Sequence, residues 1–404
     1  MEGLDKRAPF TATGGIIPPE FRNIKTPCYI LDEKALIKNA KLLGEVAERT
    51  GCKMLLAQKA FSNYDCYQFF EPYLAGTEAS GLFEARLGAE EMPEKEVHVF
   101  CAGYRADEFE ELLQYADHIV FNSPTQLLRF GPGAKEAGKS VGLRINPECS
   151  TQDGHEIYDP CAPGSRMGTT RAQWDEAFQK NPELLDLLEG IHFHTLCEQD
   201  SDDLETTLVF VKKHFGDLAS RVKWINFGGG HHITRPGYDI ERLERCIRMA
   251  KDEWKVEVYL EPGEAWALNA GFLLTRVLDV LKNGKTEIAI IDASAACHMP
   301  DVLEMPYRPP LLGADDTEED RITVRLGGPT CLSGDVIGDY KFRQLPQYGD
   351  ILMFGDMAIY TTCKNNTFNG MPLPDIWLRR ADNTMQQLTD FGYADFKERL
   401  GSRK

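Results

Sequence analysis

A lysine closes the apolar run Met54-Leu55-Leu56-Ala57-Gln58-Lys59-Ala60. An ammonium at the end of a buried strand is costly to desolvate, and desolvation lowers a lysine's pKa toward neutrality, where the amine can condense with a carbonyl. His192 and His194 alternate in Gly190-Ile191-His192-Phe193-His194, which sets both rings on one face of a strand. Gly228-Gly229-Gly230 follows Phe227. Successive glycines turn backbone N–H groups toward an anion, and a following helix adds its positive end, so the triplet reads as a phosphate seat. Glu261-Pro262-Gly263 supplies an acid. Lys59 suits an aldehyde held as a Schiff base, the flat imidazole of His194 suits stacking on a ring, and Glu261 suits charge pairing with a ring N–H⁺. Phosphate, aldehyde and protonated ring together describe pyridoxal 5′-phosphate.

The elements that must position these groups alternate regularly. Strand candidates are Lys53–Ala60, Thr77–Ser80, His98–Ala102, His118–Asn122, Val141–Asn146, Gly190–Thr195, Lys223–Phe227 and Glu257–Glu261. Helical patterns separate most of them, at Ala106–Gln114, Pro124–Ala137, Arg171–Asp186, Asp202–Phe215 and Ile240–Trp254. Roughly eight β/α units over about 240 residues match a TIM-type barrel, although a doubly wound open sheet alternates in the same way. In a barrel, Lys59, the His pair, the Gly triplet and Glu261 all fall where strands run into the following loops, the rim on which such folds do chemistry. Upstream, Cys28–Leu31 is a short strand, and Asp32 caps a helix reaching about Arg49. Beyond Gly263 the texture becomes strand-like, at 272–291, Ile322–Leu326, Ile351–Phe354, Ala358–Thr361 and Ile376–Arg379, with a short helix after Asp390. The expected organisation is an irregular lead-in (1–25), a cofactor-binding (β/α)8 barrel (26–265) and a mostly β C-terminal domain (266–404).

Composition narrows the partners. The 404 residues are 42% hydrophobic, ordinary for a chain with a sizeable core, and carry a net charge of −18 with a sequence pI near 5.0. That field repels nucleic acid and anionic membrane surfaces and suits a cationic metabolite. No apolar signal region or membrane-length run occurs, and the 11 cysteines include no C-x-x-C pair. Neither a disulfide framework nor a zinc knuckle is expected. The chain reads as reduced and cytoplasmic.

The order and spacing of several motifs resemble the alanine-racemase-fold, or fold type III, pyridoxal-phosphate decarboxylases. The likeness covers nearly everything after residue 25. It rests on Leu56-Ala57-Gln58-Lys59-Ala60, Gly190-Ile191-His192-Phe193-His194, Phe227-Gly228-Gly229-Gly230 and Glu261-Pro262-Gly263. It continues through Gly328-Pro329-Thr330-Cys331-Leu332-Ser333-Gly334-Asp335, Tyr360-Thr361 and Phe368-Asn369-Gly370. Within that family the chain is most similar to the carboxynorspermidine/carboxyspermidine decarboxylases. The pointers are Glu264 directly after Glu-Pro-Gly, the run His194 to Gln199, Cys297-His298-Met299-Pro300-Asp301 and Glu156-Ile157-Tyr158-Asp159-Pro160.

The resemblance implies that Lys59 carries the cofactor, His194 stacks on it and Glu261 pairs with the pyridine nitrogen. It further implies that Gly228, Gly229, Gly230, Gly263 and Tyr360 hold the phosphate end. Family members are head-to-tail homodimers with shared sites, so Cys331 would act in the partner's site as the proton-returning group. Diaminopimelate and ornithine enzymes have Arg after Glu-Pro-Gly, and Glu264 reverses that charge. Leu332 replaces the Asp that follows the ornithine enzyme's Cys. A cationic carboxylated polyamine would therefore meet other acids: Glu264 and Asp301, with Glu304, His298 and Asp335 nearby in the motifs. Three alternatives stand beside this reading. One is another decarboxylase of the family, for diaminopimelate, ornithine or arginine. Another is a metal-dependent barrel hydrolase built on His192, His194, His231 and His232 with an acid. The third is a non-catalytic pyridoxal-phosphate carrier, against which the second domain with Cys331 speaks.

Overall fold

The computed structural model describes residues 17–152, 159–314 and 321–401, with the backbone alone at 10–11 and 14–15. Glu156 to Tyr158 and the acidic run Asp315–Asp320 lie outside the described residues. The chain divides into two compact units, one spanning 38–266 and one formed by the residues before 38 together with those after 266.

The first unit is the barrel. Its strands are Lys53–Ala57, Gly76–Ala79, Glu96–Phe100, His118–Phe121, Ser140–Arg144, Gly190–His192, Trp224–Asn226 and Glu257–Leu260. All neighbours are parallel and the last strand pairs with the first, closing the ring. All eight expected strands are present, and each ends earlier than its apolar run does. The residues beyond each strand end have left the ladder to enter the following loop, so Lys59, His194 and Glu261 are loop residues. Inside, Leu55, Phe100, Val120, Trp224 and Tyr259 pack together. Trp224 fills space that Gly190 vacates: a Cβ on Gly190 would lie 2.1 Å from its ring.

Helices enclose the barrel for ordinary reasons. Asp32 caps Glu33–Thr50, its Oδ1 accepting the Ala35 N–H at 2.9 Å. Ile240–Trp254 buries Leu243, Cys246, Ile247, Ala250 and Trp254, the spacing of a single helical stripe. The helix expected over Arg171–Asp186 is instead two, Arg171–Lys180 and Leu184–Leu187. Pro182 breaks it, lacking an N–H and forcing Asn181 out of the helical region.

The second unit is a mixed sheet in the order Val336–Phe342, Ile322–Gly327, Thr286–Ile291, Gly271–Asn283, Cys28–Asp32, Asp375–Arg379 and Met385–Thr389. Ile351–Gly355 also pairs with Gly271–Asn283. Three expectations need correction. Cys28–Asp32 is no part of the barrel; it pairs with Gly271–Asn283 and Asp375–Arg379 inside this sheet. The lead-in is only partly irregular, since Ile17, Phe21 and Ile24 are buried in the core beside Cys28, Ile30, Phe272, Leu274 and Met353. Ala358–Thr361 is not a strand. Asp356 just before it and Tyr360 within it have φ of 56° and 51°, values an extended ladder cannot use. Val336–Phe342 and Met385–Thr389 were not foreseen; Gly338-Asp339 breaks the apolar pattern of the first, and Met385 and Leu388 are the only apolar residues of the second.

Candidate active site

The barrel brings most of the candidate residues to one rim. Lys59 lies in a turn closed by the Ala60 N–H on the Ala57 carbonyl at 3.1 Å. Its neighbour Gln58 donates its backbone N–H to the Glu78 carbonyl at 3.1 Å, which fixes Lys59 beside the second strand. Lys59 Nζ lies 3.3 Å from Glu78 Oε2, with about a third (32%) of the lysine side chain exposed and Glu78 buried. Glu78 was not a candidate; the only sequence signal was a charged residue inside a short strand. Register then places Arg144, His192 and Asn226 side by side at the ends of the fifth, sixth and seventh strands.

Those neighbours build a fixed seat for Glu261. Asn226 Nδ2 donates to Glu261 Oε1 at 2.6 Å, and His192 Nε2 lies 3.0 Å from Glu261 Oε2. Burial works to raise the Glu261 carboxyl, but His192 and then Lys59 outweigh it and hold the pKa at about 2. His192 is pushed below its usual value by burial, with Glu261 opposing. Glu261 is thus the charged member, and neutral His192 donates to it. Burial, reinforced by Lys59 and Arg144, pushes His194 far below its usual range, so it too is neutral and flat. Burial also lowers the guanidinium of Arg144 to about 10 against the pull of Glu261; it lies 4.5 Å over the Phe100 ring and donates to the His194 carbonyl at 3.1 Å.

One electrostatic expectation reverses. Burial does work against the Lys59 ammonium, yet Glu78 and Glu261 outweigh it, and the pKa is raised rather than brought toward neutrality. The group brought toward neutrality is Glu78, driven up to about 7 by burial while Lys59 pulls the other way.

The glycine triplet is a close-approach loop. A Cβ at Gly228 (φ 71°) would lie 2.4 Å from the Phe193 carbonyl oxygen, and one at Gly229 would lie 2.7 Å from that of Glu261. Two of its N–H groups are used within the chain, Gly228 donating to Asn226 Oδ1 at 2.9 Å and Gly229 to His194 Nδ1 at 3.3 Å. The Gly230 N–H has no hydrogen-bond partner among the described residues. Gly263 packs as tightly, its missing Cβ 2.6 Å from that of Ala60. Glu264 opens the short helix Glu264–Ala267 and is paired, Oε2 to His232 Nε2 at 2.7 Å.

The metal alternative requires four histidines converging on one point. His192 faces Glu261, His194 faces Gly229, His231 Nε2 lies 3.4 Å from the Phe227 carbonyl, and His232 faces Glu264. Each faces a different partner, and among the described residues no group of side chains close enough to hold a metal contains more than one of the four.

The remaining candidates belong to the second unit, and there the geometry revises several. His298 is enclosed, its Nδ1 accepting the Ser294 N–H at 3.1 Å and its Nε2 3.1 Å from the Pro372 carbonyl, which leaves neither nitrogen for a substrate. Asp335 is saturated by Ser294, Thr330 and the Ala295 N–H. Asp301 and Glu304 both bind Lys364. These four residues are held by partners within the same unit. Cys331 is exposed, its N–H donating to Asn369 Oδ1 at 2.9 Å. Tyr360 is half-buried on a left-handed turn that Thr361 closes by bonding the Met357 carbonyl at 2.6 Å.

A carboxylate kept charged, a neutral imidazole, a lysine and a glycine cradle that any Cβ would fill are the fittings of a phosphorylated aldehyde cofactor with a basic ring nitrogen. Comparison with known proteins agrees. The family model described as pyridoxal-dependent decarboxylase, C-terminal sheet domain, matches residues 28–358. The chain is 40% identical over 390 residues to the carboxynorspermidine/carboxyspermidine decarboxylase of Campylobacter jejuni, covering 94% of this chain and 99% of that protein. It is 38% identical to the carboxyaminopropylagmatine decarboxylase of Synechocystis, over 95% of this chain and 97% of that one. Among solved structures it matches Campylobacter jejuni carboxynorspermidine decarboxylase complexed with norspermidine, with a TM-score of 0.84 and 38% identity, covering 93% of this chain and 100% of the other.

Proposed function

The chain belongs to the pyridoxal-dependent decarboxylases, and we propose that within them it removes carbon dioxide from carboxynorspermidine or carboxyspermidine, giving norspermidine or spermidine. Pyridoxal phosphate, when bound, supplies an aldehyde for the substrate amine and a ring that accepts the electrons released by decarboxylation. Lys59 would hold it and later receive it back. Its ammonium is stabilised by Glu78, so release of the amine for condensation needs a proton acceptor at hand, and Glu78 with a pKa near 7 is poised to be one. His194, neutral, would lie against the ring face without adding charge. Glu261 would keep the ring nitrogen protonated, a task its low pKa suits. Gly228 to Gly230 would accept the phosphate, using the Gly230 N–H first, with Gly263 contributing to the same end.

On the substrate side the reading rests on Glu264. A carboxylate directly after Glu-Pro-Gly favours an ammonium over a second carboxylate and so favours polyamine substrates over diaminopimelate. Asp301, His298 and Asp335 are left out of this assignment because their polar atoms are engaged. Cys331 would return the proton after carbon dioxide leaves, acting in the partner's site of a homodimer; its exposure supports that role. No helix among the described residues is long and apolar enough to cross a membrane.

The observation that carries the reading is Glu261 locked between Asn226 and His192 and kept charged beside Lys59. The test begins with borohydride reduction and peptide mapping, where pyridoxyl on Lys59 is expected. Turnover is then compared across carboxynorspermidine, carboxyspermidine, carboxyaminopropylagmatine, ornithine and diaminopimelate. Preference for either of the first two supports the proposal, and preference for any of the others overturns it. The two favoured substrates differ by one methylene, which a pocket separates by only ~1–3 kcal/mol.

A further inference from the structure

We propose that His232 is a positioning residue for the alkylammonium arm of the substrate: it holds one oxygen of Glu264 so that the other receives the cation. The inference deepens the proposed function and rests on its reading of Glu264 as a substrate residue. His232 is 7% exposed, and its Nε2 lies 2.7 Å from Glu264 Oε2. Its Nδ1 is buried and has no partner among the described residues, so the ring's polar contact goes to Glu264. The loop bearing it is strapped to the turn bearing Glu264 by Thr234, whose hydroxyl donates to the Ala265 carbonyl at 2.8 Å. On the other side, the Gln199 N–H bonds the Gly230 carbonyl at 3.0 Å and the His232 N–H bonds the Gln199 carbonyl at 3.2 Å. Those two bonds fix Glu198, an exposed residue held at a φ of 54°. Donor and acceptor atoms of Glu198, His232 and Glu264 come within 4.8 Å of one another.

The charge count sets the chemistry. Glu264, Glu198 and Arg235 are the charged groups facing His232, and Arg235 is itself paired with Asp200. With His232 protonated its charge offsets that of Glu264; with His232 neutral the carboxylate's charge is left for the ammonium. Burial opposes the imidazolium, but Glu264 outweighs it and raises the His232 pKa. Ammonium affinity should therefore rise as pH climbs through that pKa, because His232 stops competing for Glu264.

The experiment uses the holoenzyme and reads KM and kcat for carboxynorspermidine between pH 6 and 8.5, with norspermidine binding followed by calorimetry. His232→Ala should raise KM and the norspermidine Kd roughly tenfold with kcat little changed, the loss of one charge-assisted contact. His232→Gln keeps a donor without the charge; it should recover most of the loss and abolish the pH dependence of KM. A variant that loses kcat and cofactor occupancy while KM stays constant would mark a structural role and overturn the proposal, as would pH dependence surviving in His232→Gln. If His232→Ala does not fold, the His232→Gln profile decides alone. Glu264→Gln separates the two levels. Unchanged KM there removes the reading of Glu264 itself, whereas raised KM with unaffected His232 variants removes only the positioning role.

Discussion

Asn226 is where the logic of the site is most exposed to test. It is fully buried and joins two parts of the site, Nδ2 donating to Glu261 Oε1 at 2.6 Å and Oδ1 accepting the Gly228 N–H at 2.9 Å. Asn226→Ala removes both bonds. A hydrogen bond to a charged group contributes about 1.5–3 kcal/mol and a neutral one about 0.5–1.5, so a loss of about 2–4 kcal/mol is expected at every pH where Glu261 is charged. Asn226→Asp keeps the shape and the acceptor for Gly228 but turns the donor into a second carboxylate against Glu261. Two carboxylates at that separation cannot both ionise and must share a proton. Taking up that proton costs about 1.4 kcal/mol for each pH unit above an ordinary carboxyl pKa of about 4. The charge is about 4–5 kcal/mol at pH 7.5 and about 2 at pH 5.5. Denaturant titration of the three proteins at both pH values separates the cases: the Asn226→Ala deficit should be flat, and the Asn226→Asp deficit should shrink by about 2–3 kcal/mol in acid. An Asn226→Asp protein as stable as the wild type at pH 7.5, or one equally damaged at both, would refute the claim that Asn226 keeps Glu261 charged.

Glu78→Gln tests the other buried carboxyl. A carboxyl raised to about 7 stabilises the folded chain fully below its unfolded pKa and loses that contribution as pH rises through 7. The wild type should therefore weaken between pH 5 and 8 by on the order of 3 kcal/mol more than Glu78→Gln does, read from denaturant midpoints. His118 behaves in the opposite sense: burial and the stacked His98 ring 4.0 Å away lower it to about 3. Its contribution is present above pH 6.5 and lost as pH falls toward 3, so His118→Phe should raise the melting temperature at pH 4–5 relative to the wild type and change it little at pH 8. Gly229→Ala sets a Cβ 2.7 Å from the Glu261 carbonyl oxygen; a cost of about 1–3 kcal/mol and weaker retention of pyridoxal phosphate on dialysis are expected.

The barrel was legible in the sequence because both faces of its strands are buried. Short apolar runs such as Val141–Asn146 and Gly190–Thr195 therefore stand out between amphipathic helices. What periodicity could not show is where each run leaves the ladder. The strand through His192 stops there, and His194 turns over the glycine loop to accept from Gly229. The second unit was harder, for two physical reasons. Its sheet recruits Cys28–Asp32 from the far end of the chain, a pairing that no local pattern encodes. Its edge strand Met385–Thr389 has just two apolar residues, Met385 and Leu388, because an edge needs little apolar surface.

The site divides along a similar line. Lys59, His194, Glu261 and the glycines could be named from residue type and spacing, because each is demanded by one chemical task. Their partners could not, since partnership is set by register across strands distant in sequence. Glu78 reaches Lys59 because Ala57 pairs with Glu78 across the first two strands. Asn226 reaches Glu261 because the seventh and eighth strands run alongside each other. At two groups these partners reverse what desolvation alone predicts, since the lysine stays charged and Glu261 is held at about 2, whereas at Glu78 desolvation prevails over Lys59. In the second unit the same blindness hid the partners of the acids named there. Asp335 and Asp301 are acids in family motifs, but one caps a loop through Ser294 and Thr330 and the other binds Lys364. An acid proposed for a substrate cation must not already be held by a permanent cation or spend both its oxygens on fixed donors. Among the described acids named for that task, Glu264 is distinguished by its partner: His232 can give up its proton, whereas the ammonium of Lys364, with its pKa raised by Asp301 and Glu304, remains charged near neutral pH.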